Sequence, residues 1–418
     1  MNVLNENLME LVLLPENLNA AWKQVKSNHG SAGIDGLSIS QTHAHLKQHW
    51  GVIESKLLEG RYKPSPVRRV YIPKEKGKKR PLGIPTVQDR VIQQAVKQIL
   101  EPHFDQGFSA HSYGFRPGRG AHDAIKAAQG YIKEGKAWVV DIDLQSFFDE
   151  VNHDRLMHCV GQLVRDKKVL HLLGRYLRAG VLEDGLAHPT HKGVPQGGPL
   201  SPLLANIYLD ALDKELEKRG LSFCRYADDC NIYVGSEKAA HRVYHSMVKW
   251  IETTLKLPVN LDKSGYDRPW KRQFLGYQPT EEGALRPAPK KIEVLKDHVR
   301  EYFSNKTSLS SKDLCRIWKR YITGCCNYYK LANARYWRAN LSGWIRRHMR
   351  KCFWQRWHTA STRGKRLKQL GVSPWKLKKV SLWGNAWRSS RLPSMHTALK
   401  NKTLVKYGLL TPSDFVPV

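Results

Sequence analysis

The chain has 418 residues, with 69 Lys and Arg against 37 Asp and Glu, a formal net charge of +32. That length accommodates two or three domains with cores of their own, and that charge points to a polyanionic partner. No stretch approaches the roughly 18 continuous apolar residues of a membrane span, so no membrane partner is expected. The seven cysteines (Cys159, Cys224, Cys230, Cys315, Cys325, Cys326 and Cys352) form no CxxC pair. That argues against structural zinc and a disulfide framework and for a reducing compartment. Met1 to Glu6 lacks the cationic start and long apolar core of a signal peptide, so a cytoplasmic protein is expected.

Residues 1–60 read as helices. Leu8, Leu11 and Val12, then Leu18, Ala21, Trp22 and Val25, recur at helical spacing, with Pro15 near the start of the second run. Gly30 to Ser38 is a loop. From Val67 to Pro85 the pattern becomes strand, basic turn, strand, a cationic hairpin whose turn is Lys74 to Lys79. A helix is predicted over Thr86 to Leu100, with Val91, Ile92, Ala95, Val96 and Ile99 on one side. His111 to Gly120 is a loop containing Gly, Pro and Arg that leads into a short helix through Ile125. Ala137 to Leu144 is an apolar strand. Leu221 to Arg225 and Cys230 to Val234 alternate apolar and polar residues, and read as two strands joined at Tyr226-Ala227-Asp228-Asp229. At Glu281 to Pro289 the composition shifts. Residues 286–418 hold 30 Lys and Arg against 5 Asp and Glu, and 8 of the 13 tryptophans. Basic residues interleaved with aromatics suit nucleic acid, where cations neutralise phosphates and rings stack on bases or pack beneath the basic face.

Two adjacent carboxylates at a buried hairpin tip repel each other and lose hydration unless a divalent cation resolves the conflict. A solvated Asp-Asp turn is the competing reading. A second carboxylate site upstream favours the cation. Asp143 ends its strand, where a side chain can project into a cleft; Asp141 on the same strand face and Asp149 in the following turn are rivals. Nucleotidyl transfer needs carboxylates from separate strands converging on two Mg²⁺ ions about 4 Å apart. One ion activates a 3′-hydroxyl and the other stabilises the leaving pyrophosphate. Asp143 and Asp228 supply that arrangement, with Asp229 assisting.

Seven ordered blocks carry a family resemblance. They are Arg80 to Pro85 (RPLGIP), His111 to Pro117 (HSYGFRP), Asp143 to Asp154, Gly193 to Pro202 (GVPQGGPLSP), Tyr226 to Asp229, Asn260 to Ser264, and Phe274 to Tyr277. This set resembles the reverse transcriptases, and specifically the group II intron-encoded reverse transcriptase/maturases, over nearly the whole chain. The resemblance implies an α+β right-hand polymerase: fingers and palm with an antiparallel sheet, then an α-helical thumb and a short basic C-terminal region. The implied boundaries are an N-terminal helical extension at 1–60, fingers at 61–136, palm with part of the fingers at 137–285, helical thumb/maturase domain at 286–360 and a DNA-binding region at 361–418.

The resemblance also implies roles. Asp143, Asp228 and Asp229 would be metal ligands, with Ile142 and Leu144 as further metal contacts. Phe148 would sit under the sugar and clash with a ribose 2′-hydroxyl; because Phe147 adjoins it, only one of the two can face the site. Lys74 and Arg80, with Arg68, would hold the triphosphate. Gln196 would contact the incoming nucleotide, the adjacent glycines permitting close backbone approach. Arg116 and the Gly197 to Ser201 loop would flank the template, with Lys263 among the template and primer contacts. Phe274 to Tyr277, with Gly276 and Tyr277 as the contacts, would steady the primer end, where a simple packed strand is the rival reading.

Trp318 to Tyr329 resembles the maturase segment that begins the thumb, with Cys325 where the family normally has Trp. Leu341 to Trp357 is predicted as a helix, with Trp344, Ile345, His348, Cys352 and Trp354 inward and Arg346, Arg347, Arg350 and Lys351 facing RNA. Gly364 to Val418 resembles the family's short DNA-binding region, and the form without a following endonuclease is that of class C. The expected protein is an RNA-directed DNA polymerase using two Mg²⁺ ions, dNTPs and an RNA template with a DNA primer. It would also bind its parent group II intron RNA, assisting splicing and mobility into target DNA. Two other readings stand beside it: a splicing cofactor whose polymerase-like shell only binds RNA, and a host-serving reverse transcriptase for repair or phage defence.

Overall fold

The computed structural model describes residues 7–73, 79–183, 186–304, 308–333, 337–377 and 384–415. The N-terminal helices are α1 (Leu8–Leu13), α2 (Pro15–Ser27) and α3 (Ile39–Leu58). Leu8, Met9, Val12 and Leu13 share the buried face of α1, which leaves Leu11, expected on that face, 45% exposed on the opposite side. Ser38 caps α3 in a capping box with Gln41. The strands β1 (Val67–Pro73) and β2 (Lys79–Ile84) pair antiparallel as expected, Arg68 opposite Ile84 and Pro73 opposite Lys79. Lys74, at the expected turn, lies outside the described residues.

Helix α4 (Val87–Asp105) starts at Thr86, whose hydroxyl accepts from the Asp89 N–H. It runs past the expected end at Leu100, because Phe104 extends the buried row of Val96 and Leu100. Helix α5 (Ala121–Lys133) likewise passes Ile125: nothing breaks it before Gly135, whose φ is +89°. Next come β3 (Trp138–Asp143), α6 (Phe147–Glu150), α7 (His153–Gly161), α8 (Lys167–Arg178), β4 (Val181–Glu183) and β5 (Leu186–His188). Helix α9 (Ser201–Lys218), buried along most of its length, precedes β6 (Ser222–Tyr226), β7 (Asp229–Val234), α10 (Glu237–Trp250) and β8 (Gly265–Asp267).

The chain divides into two compact units, Met1–Arg268 and Pro269–Val418. In the first, one four-stranded sheet has the order β2-β1-β4-β5 and a second, antiparallel one the order β6-β7-β3-β8. Between the helices and these sheets lies an apolar core that includes Val140, Ile142, Phe147, Leu204, Tyr208, Leu209, Phe223 and Ile232. The second unit pairs β9 (Tyr277–Pro279) with β10 (Leu285–Pro287) and is otherwise helical. Its helices are α11 (Pro289–Tyr302), α12 (Ser311–Tyr328), α13 (Arg338–Arg356), α14 (Ala360–Gln369), α15 (Pro374–Leu377), α16 (Ala386–Ser389), α17 (Pro393–Ala398) and α18 (Asn401–Lys406). Trp318 is fully buried among Tyr302, Phe303 and Tyr321 and donates its indole N–H to the Leu410 carbonyl. Among the described residues no helix is long and apolar enough to cross a membrane.

Candidate active site

The sheet brings the two carboxylate stretches to one end. Asp143 stands opposite Asp229 in the β3–β7 pairing, and Tyr226 stands opposite Asp229 in the β6–β7 pairing. The connection is therefore the two residues Ala227-Asp228, with Ala227 left-handed at φ +57°. Two-residue hairpin loops favour such positive φ values because their twist matches that of the strands. Asp141 lies two residues back on β3, opposite Asn231 within the ladder, and Asp149 falls in the short α6. Ile142 and Leu144, flanking Asp143, are buried.

Electrostatics single out Asp229. Desolvation, then the like charges of Asp228 and Asp143, push its carboxyl up to about 6, while Lys263 pulls the other way. The residue keeps an exposed surface, so this is the crowding of a cleft mouth rather than full removal from water. The Lys263 ammonium bonds both oxygens of Asp143, at 3.1 and 3.2 Å. Among the described residues no three His, Cys, Asp or Glu side chains are arranged to hold a metal ion as they stand. The chemistry of the donor set nevertheless fits a divalent cation. Asp228 and Asp143 both raise the protonation of Asp229, and Asp143 at the strand end is already bonded to a cationic side chain.

The turn is held from beneath by a buried polar network that the sequence reading missed. Arg225 is fully buried. Its guanidinium donates to Asp213 at 2.7 and 2.5 Å, to Asn206 Oδ1 and the Ala227 carbonyl at 3.0 Å each, and to Ser112 Oγ at 2.8 Å. Asn206 in turn donates to the Gly114 carbonyl at 2.9 Å. Burial works against the charge on Arg225, but Asp213 outweighs it and raises its pKa. Burial alone would favour protonated Asp213; two short bonds from a group that does not give up its proton argue for the ionised pair. The available signal was two polar residues, Asn206 and Asp213, seven apart on the buried face of α9.

Placement of the other expected residues is mixed. Phe147 is 2% exposed and packs edge-on against Tyr208, whereas Phe148 retains 9% and lies beside Gly193-Val194, its carbonyl accepting from the Val194 N–H. Gln196 belongs to a loop laid on β2, its carbonyl accepting from the Gly83 N–H at 2.8 Å. Gly197, at φ +124°, is required there, since a Cβ would come within 2.5 Å of the Gly83 carbonyl. That glycine thus permits approach to a neighbouring strand. Ser201 faces inward and donates to the Pro195 carbonyl at 2.5 Å. Arg68 is half-buried, donating to the Ala32 carbonyl at 2.8 Å. Arg80 lies in β2.

Other expected residues are engaged within the fold instead. Arg116 does not present its charge to a template: it is buried, with its guanidinium bonded to the Asp105 carboxylate and to the carbonyls of Asp105, Ser109 and Ser112. Nor does α13 present a basic face. Arg346 pairs with Asp414 at 2.6 Å, and Arg347 stacks 3.5 Å from the Trp387 ring and donates to its carbonyl. Arg350 is buried on the Leu399 carbonyl and Asn401. The reason is that α13 is surrounded within its unit, packing against α11, α16 and the turn at Pro412–Asp414. Lys351 lies half-buried on the same helix. In the second unit Tyr277 begins β9 and is buried against Tyr328 and Tyr329, and Gly276 just before the strand, at φ +75°, sits against Tyr329.

Comparison with known proteins gives the class. Residues 72–279 match the family model for reverse transcriptase (RNA-dependent DNA polymerase), and residues 292–371 match the group II intron maturase-specific domain. Protein YkfC of Escherichia coli (strain K12) is 35% identical over 299 residues, covering 62% of this chain and 78% of that protein. The group II intron-encoded protein LtrA of Lactococcus lactis subsp. cremoris is 37% identical over 250 residues, covering 60% of this chain but only 40% of LtrA. A COX1/OXI3 intron 1 protein of Saccharomyces cerevisiae is 30% identical over 262 residues, 61% of this chain and 30% of that one. The fold, with its antiparallel carboxylate-bearing sheet among helices, is that of a reverse transcriptase. The chain belongs to the group II intron-type reverse transcriptases, those joined to a maturase-specific domain.

Proposed function

We propose that the chain extends a DNA primer on an RNA template and, through its maturase-specific domain, binds the group II intron RNA from which it derives, assisting splicing and mobility. The observation that carries the polymerase reading is the convergence of Asp143 with the Asp228-Asp229 turn at one end of the β6-β7-β3-β8 sheet. Asp143, Asp228 and Asp229 would hold the two Mg²⁺ ions, which when bound supply activation of the primer 3′-hydroxyl and charge relief on the leaving pyrophosphate. The chain's own residues do the positioning. The Arg225 network fixes the carbonyl of Ala227, and with it the direction in which Asp228 is presented. Phe148 is the proposed steric gate against a ribose 2′-hydroxyl, and Gln196 the proposed nucleotide contact. Arg68, Lys74 and Arg80 are the proposed triphosphate cations. Basic side chains of residues 286–418, net +25, would supply phosphate contacts to RNA and target DNA.

The test is a paired assay of the variant Asp228→Ala/Asp229→Ala. Primer extension on an RNA template should vanish while intron RNA binding and splicing assistance persist. Extension at wild-type rate would remove the active-site assignment, and loss of both activities with an intact fold would merge the two roles in one surface.

A further inference from the structure

Beside the catalytic turn the fold holds a strained, outward-facing aromatic. Phe115 is 47% exposed and left-handed, at φ +58°. A β-carbon-bearing residue adopts that conformation only when its surroundings impose it. Here they do so from both sides. Gly114 before it lies so close to the turn that a Cβ would come within 2.4 Å of the Ala227 nitrogen, and its carbonyl is held by Asn206. Arg116 after it is clamped by four bonds to Asp105, Ser109 and Ser112. The Tyr113 N–H donates to the Arg225 carbonyl, which ties the same loop to β6. The outcome is a Phe115 ring tilted beside the half-exposed ring of Tyr226, with centroids 6.2 Å apart, and Tyr226 is two residues from Asp228.

We propose that Phe115 and Tyr226 form an aromatic shelf that packs against the base and sugar of the primer-terminal pair, setting the position of the primer end relative to Asp228. An exposed Phe alone is unremarkable on a protein surface. Two adjacent rings on an immobilised backbone, next to the reacting carboxylates of a nucleic-acid enzyme, are a stacking platform ordered before substrate arrives. Aromatic packing of this kind neutralises no phosphate, so it adds affinity without adding salt dependence. Phe115 is on this view a positioning residue, and the inference rests on the polymerase reading above.

The test uses the full chain and a primer–template carrying 2-aminopurine at the primer 3′ end. Phe115→Gly removes the ring and relieves the left-handed strain, so its thermal midpoint should equal or exceed that of the wild type. Its affinity for the primer–template should fall roughly tenfold, within the range for one lost aromatic–base contact. The slope of log affinity against log salt should stay unchanged. The KM for primer–template should rise, the KM for dNTP should not, and Phe115→Tyr should restore binding and the wild-type fluorescence. Wild-type affinity in Phe115→Gly, a loss of binding only in step with thermal stability, or failure of Phe115→Tyr to rescue would each overturn the shelf. If the wild-type chain itself neither bound nor extended the primer–template, the polymerase reading would fall first, which keeps the two failures apart.

Discussion

Removing Asp213 tests whether the Ala227-Asp228 turn, proposed above as part of the active site, is positioned from below. Asp213 is fully buried, and the cation bonded to it is Arg225, at 2.5 and 2.7 Å. Asp213→Ala would leave a guanidinium charge uncompensated in the core, a change that typically costs about 3–5 kcal/mol. Replacing both partners, as Asp213→Leu with Arg225→Met, removes the charge problem, so most of that stability should return. What does not return is the geometry, because the donors to the Ala227 carbonyl, Asn206 and Ser112 are gone. The double variant should therefore be nearly as stable as the wild type in urea denaturation followed by circular dichroism. Its kcat in primer extension should fall by about 10²-fold, the scale on which an ångström of misplacement acts. Full activity in a stable double variant would refute the claim that this network positions the turn. So would an Asp213→Ala change costing less than about 1 kcal/mol, well below the range for a broken buried pair.

Two further outcomes follow from packing and burial. Gly114→Ala places a methyl group 2.4 Å from the Ala227 nitrogen and 3.0 Å from the Tyr226 carbonyl carbon, so the turn must shift; kcat should fall while the thermal midpoint drops only modestly, since overpacking typically costs about 1–3 kcal/mol. His348 is buried between Trp344 and Trp387, and burial, then Lys351, Arg300 and Arg347, lower its pKa from the usual 6.5 to about 4. Between those values the unfolded chain binds the extra proton and the folded chain does not. Stability is thus complete above 6.5 and declines as pH falls towards 4, by at most about 3 kcal/mol at roughly 1.4 kcal/mol per pKa unit. His348→Phe should flatten that stretch of the stability–pH curve, and an unchanged slope would contradict the assignment.

What was legible in the sequence was whatever repeats along the chain. Period-two alternation placed β6 and β7 and put Asp228 and Asp229 at their junction; helical spacing placed α4 and the N-terminal helices. What was not legible was which charges point inward. Arg116, Arg225 and Arg350 are all buried, yet nothing local to a sequence separates them from solvated arginines. Their partners are backbone carbonyls, or side chains up to 113 residues away, as with Ser112 and Arg225. The basic tail shows the same limit. Its net charge is plain, but α13 was expected to expose Arg346, Arg347 and Arg350, and they are held by Asp414, Trp387, Leu399 and Asn401, residues distant in sequence. Cation count therefore overstates cation availability, and phosphate contacts have to be sought among the exposed residues, such as Arg316 and Lys365.

Helix α9 explains why the separated blocks occur together. Its first turn follows the Gly197-Gly198 loop, which is pressed on Gly83 of β2 and on Gln93 of α4, where a Cβ at Gly198 would come within 2.4 Å of the Gln93 amide oxygen. One turn and a half further on, Asn206 holds the Gly114 carbonyl, and a further two turns on, Asp213 holds Arg225. A single rigid rod thus registers the basic hairpin, the HSYGFRP loop and the carboxylate turn against one another. A change in any of them has to be accommodated by α9, and α9 is buried along most of its length in a close-packed core. The contacts of those blocks are spaced along α9 by one helix's rise per residue, and the carboxylates proposed as catalytic are positioned through it.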